Sequence, residues 1–324
     1  MLSQIYAAIA RRRRERYARH PELRRRLRRP VISVGNLSVG GRGKTPMVAT
    51  IARELLTMGE RPAILTRGYA RTNPVDGVVV VRDPEAIRSD LGRAGDEPLM
   101  LARALPGASV LVCADRYLAG RLAEHQFAAT VHVIDDGFQH LQLERDIDVV
   151  MIGREDVAHP VTLPSGRLRE PIDIIVAADA VIAADDGVLV DSVGVETRFF
   201  KARRMVNAGH AGLEGAPVFA FAGIASPARF FDDAKALRWT VIGTRAFRDH
   251  HPYSRGELDA LSAQAAAAGA AALVTTEKDL VRLLQYRPFR LPVHAVALTM
   301  EPDPLPEFRQ WLAGSLRSAR DIVG

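Results

Sequence analysis

Short apolar runs alternate with helical patterns through the first half of this 324-residue chain. That alternation predicts an α/β fold: a mostly parallel sheet with helices on both faces. A second, shorter series of the same kind predicts a smaller second α/β domain. A glycine-rich loop, Ser38-Val39-Gly40-Gly41-Arg42-Gly43-Lys44-Thr45, joins the first apolar run to the first helix. Strand, glycine loop, Lys-Thr and helix together predict a P-loop NTPase-type first domain, the plainer alternative being a glycine-rich strand-to-helix turn of another α/β protein.

The elements follow in order. Apolar runs at 31–34, 63–66, 78–81, 109–114, 130–135 and 147–152 read as strands, and 46–58, 97–105 and 116–126 read as helices. Residues 155–173 are polar, bear Pro and Gly, and read as a long loop. In the second series, 217–223, 239–243, 271–275 and 293–298 read as strands, with helices at 227–237, 255–268 and 305–317. The expected division is an arm over 1–28, a P-loop domain over 29–188 and a second α/β domain over 189–324. The C-terminal helix is free to pack back on the first domain. No internal repeat is present.

Hydrophobic residues make up 48% and charged residues 25%, enough apolar content for a full core. The one cysteine, Cys113, lies in an apolar run and has no partner for an internal disulfide. Met1 to Ala10 is mildly apolar and its arginines follow rather than precede it, unlike a secretory leader. No run approaches the ~20 apolar residues of a membrane span.

The net charge of +6 hides an asymmetry. Residues 1–30 hold eleven Arg and two Glu, whereas the remainder has 33 Lys and Arg against 36 Asp and Glu. The slightly acidic body argues against nucleic-acid binding by the body. The arm has three readings: a solvated charge run, a nucleic-acid arm, or an amphipathic helix on an anionic membrane. Leu2, Ile5, Tyr6 and Ile9 would form its apolar patch at helical spacing.

In the glycine loop, backbone N–H groups from Ser38 to Thr45 would cradle phosphate oxygens, with the helix dipole behind them. Lys44 would reach the β- and γ-phosphates, and the Thr45 hydroxyl would sit on Mg²⁺. Ser38 occupies the place of the pattern's first glycine. The strand Val131-His132-Val133-Ile134 ends in Asp135-Asp136, a position from which a P-loop enzyme holds Mg²⁺. Two solvated turn aspartates are the plainer reading. Gly95-Asp96-Glu97-Pro98 opens a helix; Asp96 reads as an N-cap or as a proton acceptor. Asp249-His250-His251 reads as a loop, a catalytic pair or a metal site. Adjacent histidines on an extended segment point apart, which disfavours shared ligation. Thr275-Thr276-Glu277-Lys278-Asp279 ends a strand and reads equally as capping or as function.

Taken in order along the chain, these segments resemble the tetraacyldisaccharide 4′-kinase family of lipid A biosynthesis. The resemblance rests on Val34 to Pro46, Arg67-Gly68-Tyr69, Gly95 to Pro98 and Asp135-Asp136-Gly137-Phe138-Gln139-His140. It extends through Leu163 to Pro171, Ala222-Gly223-Ile224-Ala225, Asp249-His250 and Thr276 to Asp279. The family carries a hydroxyl residue at the Ser38 position. This chain departs from the pattern at Arg42, at Ser165 and Arg167, and in a shorter, less apolar first segment.

The resemblance implies an ATP-dependent phosphotransferase acting on the 4′-hydroxyl of a tetraacyl glucosamine disaccharide 1-phosphate. ATP would lie on Ser38, Val39, Gly40, Gly41, Arg42, Gly43, Lys44 and Thr45. Thr45, Asp135 and Asp136 would arrange Mg²⁺. Lys44, Asp96 and His250 would be catalytic, with Asp96 taking the hydroxyl proton and His250 pairing with it from the second domain. Arg67 and Arg169 are further candidates for phosphate contacts. The arm would then lie on the anionic cytoplasmic face of the inner membrane, with no nucleic acid and no obligate protein partner. The alternative is a P-loop NTPase switch or metallochaperone without a lipid acceptor; the Asn-Lys-x-Asp motif of a guanine-specific version is absent.

Overall fold

In the computed structural model every residue is described except 42, 70, 187, 189–196, 208–211 and 324, together with the side chains of 322 and 323. The chain opens with helix α1 (Leu2–Arg19), none of whose residues is buried. Strand β1 (Val31–Asn36) is buried at all six positions, as an apolar run covered on both faces should be. Gly43, at φ +79°, turns the chain into α2 (Lys44–Thr57). That helix lays Met47, Val48, Ile51 and Leu55 on the sheet.

Next come β2 (Pro62–Thr66), β3 (Val79–Arg82), the short α3 (Leu91–Ala94), α4 (Asp96–Ala104), β4 (Ser109–Val112) and α5 (Arg116–Gln126). The Asp115 side chain caps α5 by accepting from the Tyr117 and Leu118 N–H groups. Strands β5 (Val131–Asp135) and β6 (Ile147–Ile152) flank β1 on either side, both parallel to it. The register sets Asp135 opposite Val34, so the acidic strand end emerges beside the glycine loop.

Three elements in the next stretch are not visible in the sequence reading. Helix α6 (Arg154–Ala158) forms within the expected loop, β7 (Ala180–Ala183) is four residues long, and β8 (Arg198–Asn207) follows. Strand β8 escapes notice because Arg198, Lys201, Arg203 and Arg204 interrupt its apolar pattern and only Phe200 in it is buried. The chain continues through β9 (Pro217–Ala222), α7 (Pro227–Ala236), β10 (Thr240–Ala246) and α8 (Arg255–Ala267). It ends with β11 (Ala272–Thr276), α9 (Glu277–Leu283), β12 (Val293–Asp303) and α10 (Leu305–Val323). Ser254 and Glu257 close a capping box at the start of α8.

Among the described residues twelve strands join one sheet, in the order β10-β9-β11-β12-β8-β7-β6-β1-β5-β2-β4-β3, and of their pairings only β3 on β4 and β12 on β8 are antiparallel. The long β8–β12 ribbon therefore joins the sheet half that carries the glycine loop to the half that carries β9, β10 and β11. One apolar core runs beneath α2 and α4 and on to Val281, Met300, Phe308, Leu312 and Leu316. Helix α10 is fixed to α2 by an Arg309–Glu54 ion pair at 2.5 Å.

Helix α1 is not a free arm. Arg14 donates to Glu170 at 2.7 Å and to the Phe138 carbonyl at 3.1 Å, and its guanidinium lies 4.1 Å from the Phe138 ring centroid. Glu170 also accepts from Gln139, which in turn donates to the Asn36 carbonyl at 2.9 Å. The N-terminal helix thus connects through Glu170 and Gln139 to the base of the glycine loop.

Candidate active site

A cleft of about 1110 Å³ opens at the carboxyl ends of the central strands, where open α/β sheets bind ligands. One wall carries Lys44, Thr45, Asp135 and Glu97; the other carries His250 and Lys278. Its volume lies above the ~300–1,000 Å³ of a pocket for one ligand, which suits two substrates meeting.

The glycine loop is braced from behind. The Val39 N–H donates to the Arg167 carbonyl at 2.8 Å, and the Arg169 N–H donates to the Leu37 carbonyl. Ser38 is fully buried and forms a bridge with Leu168. The Leu-Pro-x-Gly-x-Leu-Arg-Glu-Pro segment is therefore structural support for the loop as well as the anchor for α1. At Gly166 a Cβ would stand 2.0 Å from the Val161 carbonyl oxygen, so this close crossing requires glycine. Gly40 and Gly41 line the cleft and Gly43 holds the left-handed turn; Arg42 lies outside the described residues.

The Lys44 ammonium sits between the Asn36 amide oxygen and Asp136 Oδ1, 2.8 Å from each. Asp136, in the left-handed region at φ +56°, also takes Arg169 at 2.8 Å. Burial pushes the Asp136 carboxyl up, but Lys44 and Arg169 outweigh it and hold the group below the usual carboxylate range. Asp135 is the contrast. It accepts the Thr45 hydroxyl at 3.2 Å, and among the described residues no Lys or Arg forms an ion pair with it. Burial, then repulsion from Glu97 and Asp136, push it up to about 7. A buried carboxylate beside a hydroxyl, lacking its own cation among like charges, is a fitting oxygen donor set for a hard divalent ion.

Asp96 is the first residue of α4, not its N-cap, which is Gly95. Its Oδ1 accepts the Glu97 N–H at 2.9 Å, and its Oδ2 takes His250 Nδ1 at 3.0 Å and the Arg282 guanidinium. Burial acts against the Asp96 charge; Lys278, Arg282 and His250 outweigh it and hold the carboxyl low. Asp96 is 5% exposed and lies behind His250, so the imidazole is the member of the pair on the cleft wall. His250 adopts φ +55°, a conformation that costs a non-glycine residue ~1–2 kcal/mol. Its backbone N–H holds it there by donating to the Gly223 carbonyl at 3.1 Å. The sequence places Asp96 and His250 in separate segments; the structure brings them into contact across the two sheet halves.

Arg282 is absent from the sequence reading. Its guanidinium reaches Asp96, Asp279 at 2.9 Å and the Gly223 carbonyl at 2.9 Å, with the side chain 6% exposed. Asp279 is clamped in turn by Tyr253 OH at 2.9 Å, by Thr276 at 2.7 Å and by the Gly223 N–H. The Thr276-Glu277-Lys278-Asp279 string thus anchors α9 through Asp279 and Thr276 and presents Lys278 to the cleft. His251, by contrast, faces away and pairs with Glu257 at 3.0 Å. Among the described residues no group of three or more His, Cys, Asp or Glu side chains is placed to hold a metal by itself.

Farther along the cleft, Arg13, Arg67, Arg116, Arg169 and His140 form a basic end. Burial, with Arg116 and Arg145 adding repulsion, depresses His140 to about 4, so the imidazole is neutral at neutral pH. Burial and the neighbouring Arg67 likewise lower Arg116. Cations packed this closely favour an anion between them.

A family model described as tetraacyldisaccharide-1-P 4′-kinase matches residues 1–317. A protein from Geobacter sulfurreducens named tetraacyldisaccharide 4′-kinase is 38% identical over 321 residues, covering 93% of this chain and 88% of that one. One of the same name from Koribacter versatilis is 35% identical, covering 93% of each chain. A crystal structure of LpxK from Aquifex aeolicus in complex with ATP aligns over 97% of both chains, with a TM-score of 0.80 and 29% identity.

Proposed function

Because the chain belongs to the tetraacyldisaccharide 4′-kinase family, we propose a division of labour among the residues of its cleft. The chain is a kinase that transfers the ATP γ-phosphate to the 4′-hydroxyl of tetraacyldisaccharide 1-phosphate. The observation that carries the residue roles is the facing of Lys44, Thr45 and Asp135 on one wall by His250, backed by Asp96, on the other. ATP in the aligned Aquifex structure supports a nucleotide on the glycine loop here. Backbone N–H groups from Ser38 to Thr45 grip its phosphates, and Lys44 exchanges Asp136 for the β- and γ-phosphates. Thr45 and Asp135, with Asp136 beside them, would hold Mg²⁺, which would supply charge neutralisation for the transferring phosphate.

The acceptor lies on the opposite wall. As its 4′-oxygen attacks, the hydroxyl proton passes to the Asp96–His250 pair, which we read as one base unit. Asp96 fixes the imidazole by accepting Nδ1–H, leaving Nε2 as the face toward the cleft. The basic end with Arg13, Arg67, Arg116 and Arg169 suits the acceptor's own phosphate. In a phosphoryl transfer these positions and charges do most of the work.

Helix α1 is the membrane-facing element in this reading. Leu2, Ile5 and Ile9 are more than half exposed on it, while Arg14 anchors it beside the cleft. No helix among the described residues is long and apolar enough to cross a membrane. The protein would therefore act peripherally on the cytoplasmic face of the inner membrane, drawn by arginines that contribute about 1 kcal/mol each near anionic lipid. An Ile5→Ser, Ile9→Ser double variant is expected to co-sediment with phosphatidylglycerol vesicles at least about tenfold less well, from lost apolar burial. Unchanged sedimentation would remove α1 from the membrane.

The test of the function itself is transfer of ³²P from γ-labelled ATP to tetraacyldisaccharide 1-phosphate in mixed micelles. The expected result is labelled lipid. ATP turnover that is indifferent to the lipid, with no labelled lipid, would return the chain to the NTPase-switch reading.

A further inference from the structure

We propose that Lys278 is a catalytic residue for the transfer: its ammonium leaves Glu97 and binds the transferring phosphoryl group. The proposal rests on the phosphoryl-transfer reading of the cleft and deepens it. Lys278 Nζ lies 3.0 Å from Glu97 Oε1 and 3.2 Å from His250 Nε2. Glu97 is the neighbouring charge that acts most strongly on Asp135, and His250 touches Asp96. Glu97, Lys278, His250 and Asp96 therefore form a contiguous row, and Asp135 lines the same cleft. The ammonium occupies the middle of that row, where the γ-phosphorus and the attacking oxygen must meet.

A structural ion pair does not need this position. Lys278 belongs to the first turn of α9, which Asp279, Thr276, Tyr253 and Arg282 already fix. Its own pairing is a single contact to a carboxylate 37% exposed, worth little to stability. The contact to His250 Nε2 also occupies the face that must receive a proton. In the absence of substrate the ammonium caps the base. A phosphoryl group carries more negative charge than Glu97, so its arrival draws the ammonium across and frees Nε2 in the same movement. The 4′-oxygen then forms its bond to phosphorus as the bond to the ADP oxygen breaks. The hydroxyl proton goes to the Asp96–His250 pair, and Lys278 remains protonated throughout. Because Lys278 comes from the sheet half opposite the glycine loop, transfer requires both walls of the cleft together.

The test compares Lys278→Met and Lys278→Arg with wild type in the lipid transfer assay across pH, together with the Kd for ATP. The charged groups that face His250 are Asp96, Asp249, Lys278 and, through these, Glu97 and Arg282. The expected result is a plateau kcat lower by about 10²–10³ in Lys278→Met, the size of losing one preorganised charge donor. KM for ATP should change less than about threefold, and Lys278→Arg should keep at least about ten times the kcat of Lys278→Met. A residue that only positions His250 would behave otherwise: the pH profile would move along the pH axis, but the plateau would return. That result, or a kcat within about threefold of wild type, would overturn the proposal. An inactive wild type would instead mean failure of the kinase reading itself. Should Lys278→Met not fold, Lys278→Gln takes its place, and a plateau kcat within about threefold of wild type in that variant would overturn the proposal as well.

Discussion

A Lys44→Ala variant is expected to fold as wild type, bind ATP more weakly and lose about 10³-fold or more in kcat for lipid phosphorylation. The fold should survive because the ammonium is not holding the structure together. Of its partners, Asn36 stays buried in β1, and Asp136 keeps Arg169 at 2.8 Å. Removing the lysine therefore strips Asp136 of one of two cations, and a melting temperature within a few degrees of wild type should follow. Catalysis has no such reserve. Charge neutralisation at the γ-phosphate is the larger part of phosphoryl transfer, and a single preorganised cation there is worth about 10³–10⁵ in related systems. Arg169 remains paired with Asp136 and is held by the segment that braces the loop rather than by the start of α2. Steady-state kinetics with labelled ATP, beside a thermal melt, decides the matter. A folded Lys44→Ala protein within about tenfold of wild-type kcat would place the phosphates elsewhere, because the expected loss is two decades beyond that.

The same residues show what a sequence makes legible. The glycine loop is readable because its chemistry is local. A buried strand, left-handed glycines, a lysine and a helix start must be contiguous, so Val31 to Leu56 carries the whole signal. Asp135 is readable one step further out, because a parallel neighbour of β1 must end beside the loop, as the Val34–Asp135 register does. Arg282 is not readable at all. It lies 186 residues from Asp96, and its only local mark is its spacing of three from Asp279 on a short helix. Arg14 and Glu170 are 156 residues apart and equally silent, although together they convert a run of arginines into a docked helix. The two series of strands are correctly visible, yet their joining into one sheet is hidden. The joint is β8, a strand in which exposed Arg198, Lys201 and Arg203, with Arg204 beside them, erase the apolar alternation on which a strand is recognised.

The second large effect concerns Asp96, where activity and stability should fall together for separable reasons. An Asp96→Asn variant is expected to lose about 10²–10⁴ in kcat, the range for loss of a positioned general base. The asparagine amide can still contact His250 but cannot stabilise an imidazolium. The stability loss comes from Arg282. Its guanidinium is buried, and breaking a buried pair by removing one partner costs about 3–5 kcal/mol. The retained contacts to Asp279 and the Gly223 carbonyl should keep the cost near the lower figure. The pH dependence follows in sign. The folded-state carboxyl of Asp96 is held below its ordinary value, so its contribution to stability is present above that value and disappears as pH falls through the folded one. Asp96→Asn should therefore lower stability at neutral pH and flatten its decline in acid. An Asp96→Asn, Arg282→Met double variant separates the two effects. Removing Arg282 as well eliminates the cation left unpaired at position 96, and Asp279 keeps Tyr253, Thr276 and the Gly223 N–H, so stability recovers in part, while the missing proton acceptor leaves kcat low. Recovery of turnover along with stability in that double variant would show that Asp96 serves only to hold Arg282, and the base would have to be His250 alone.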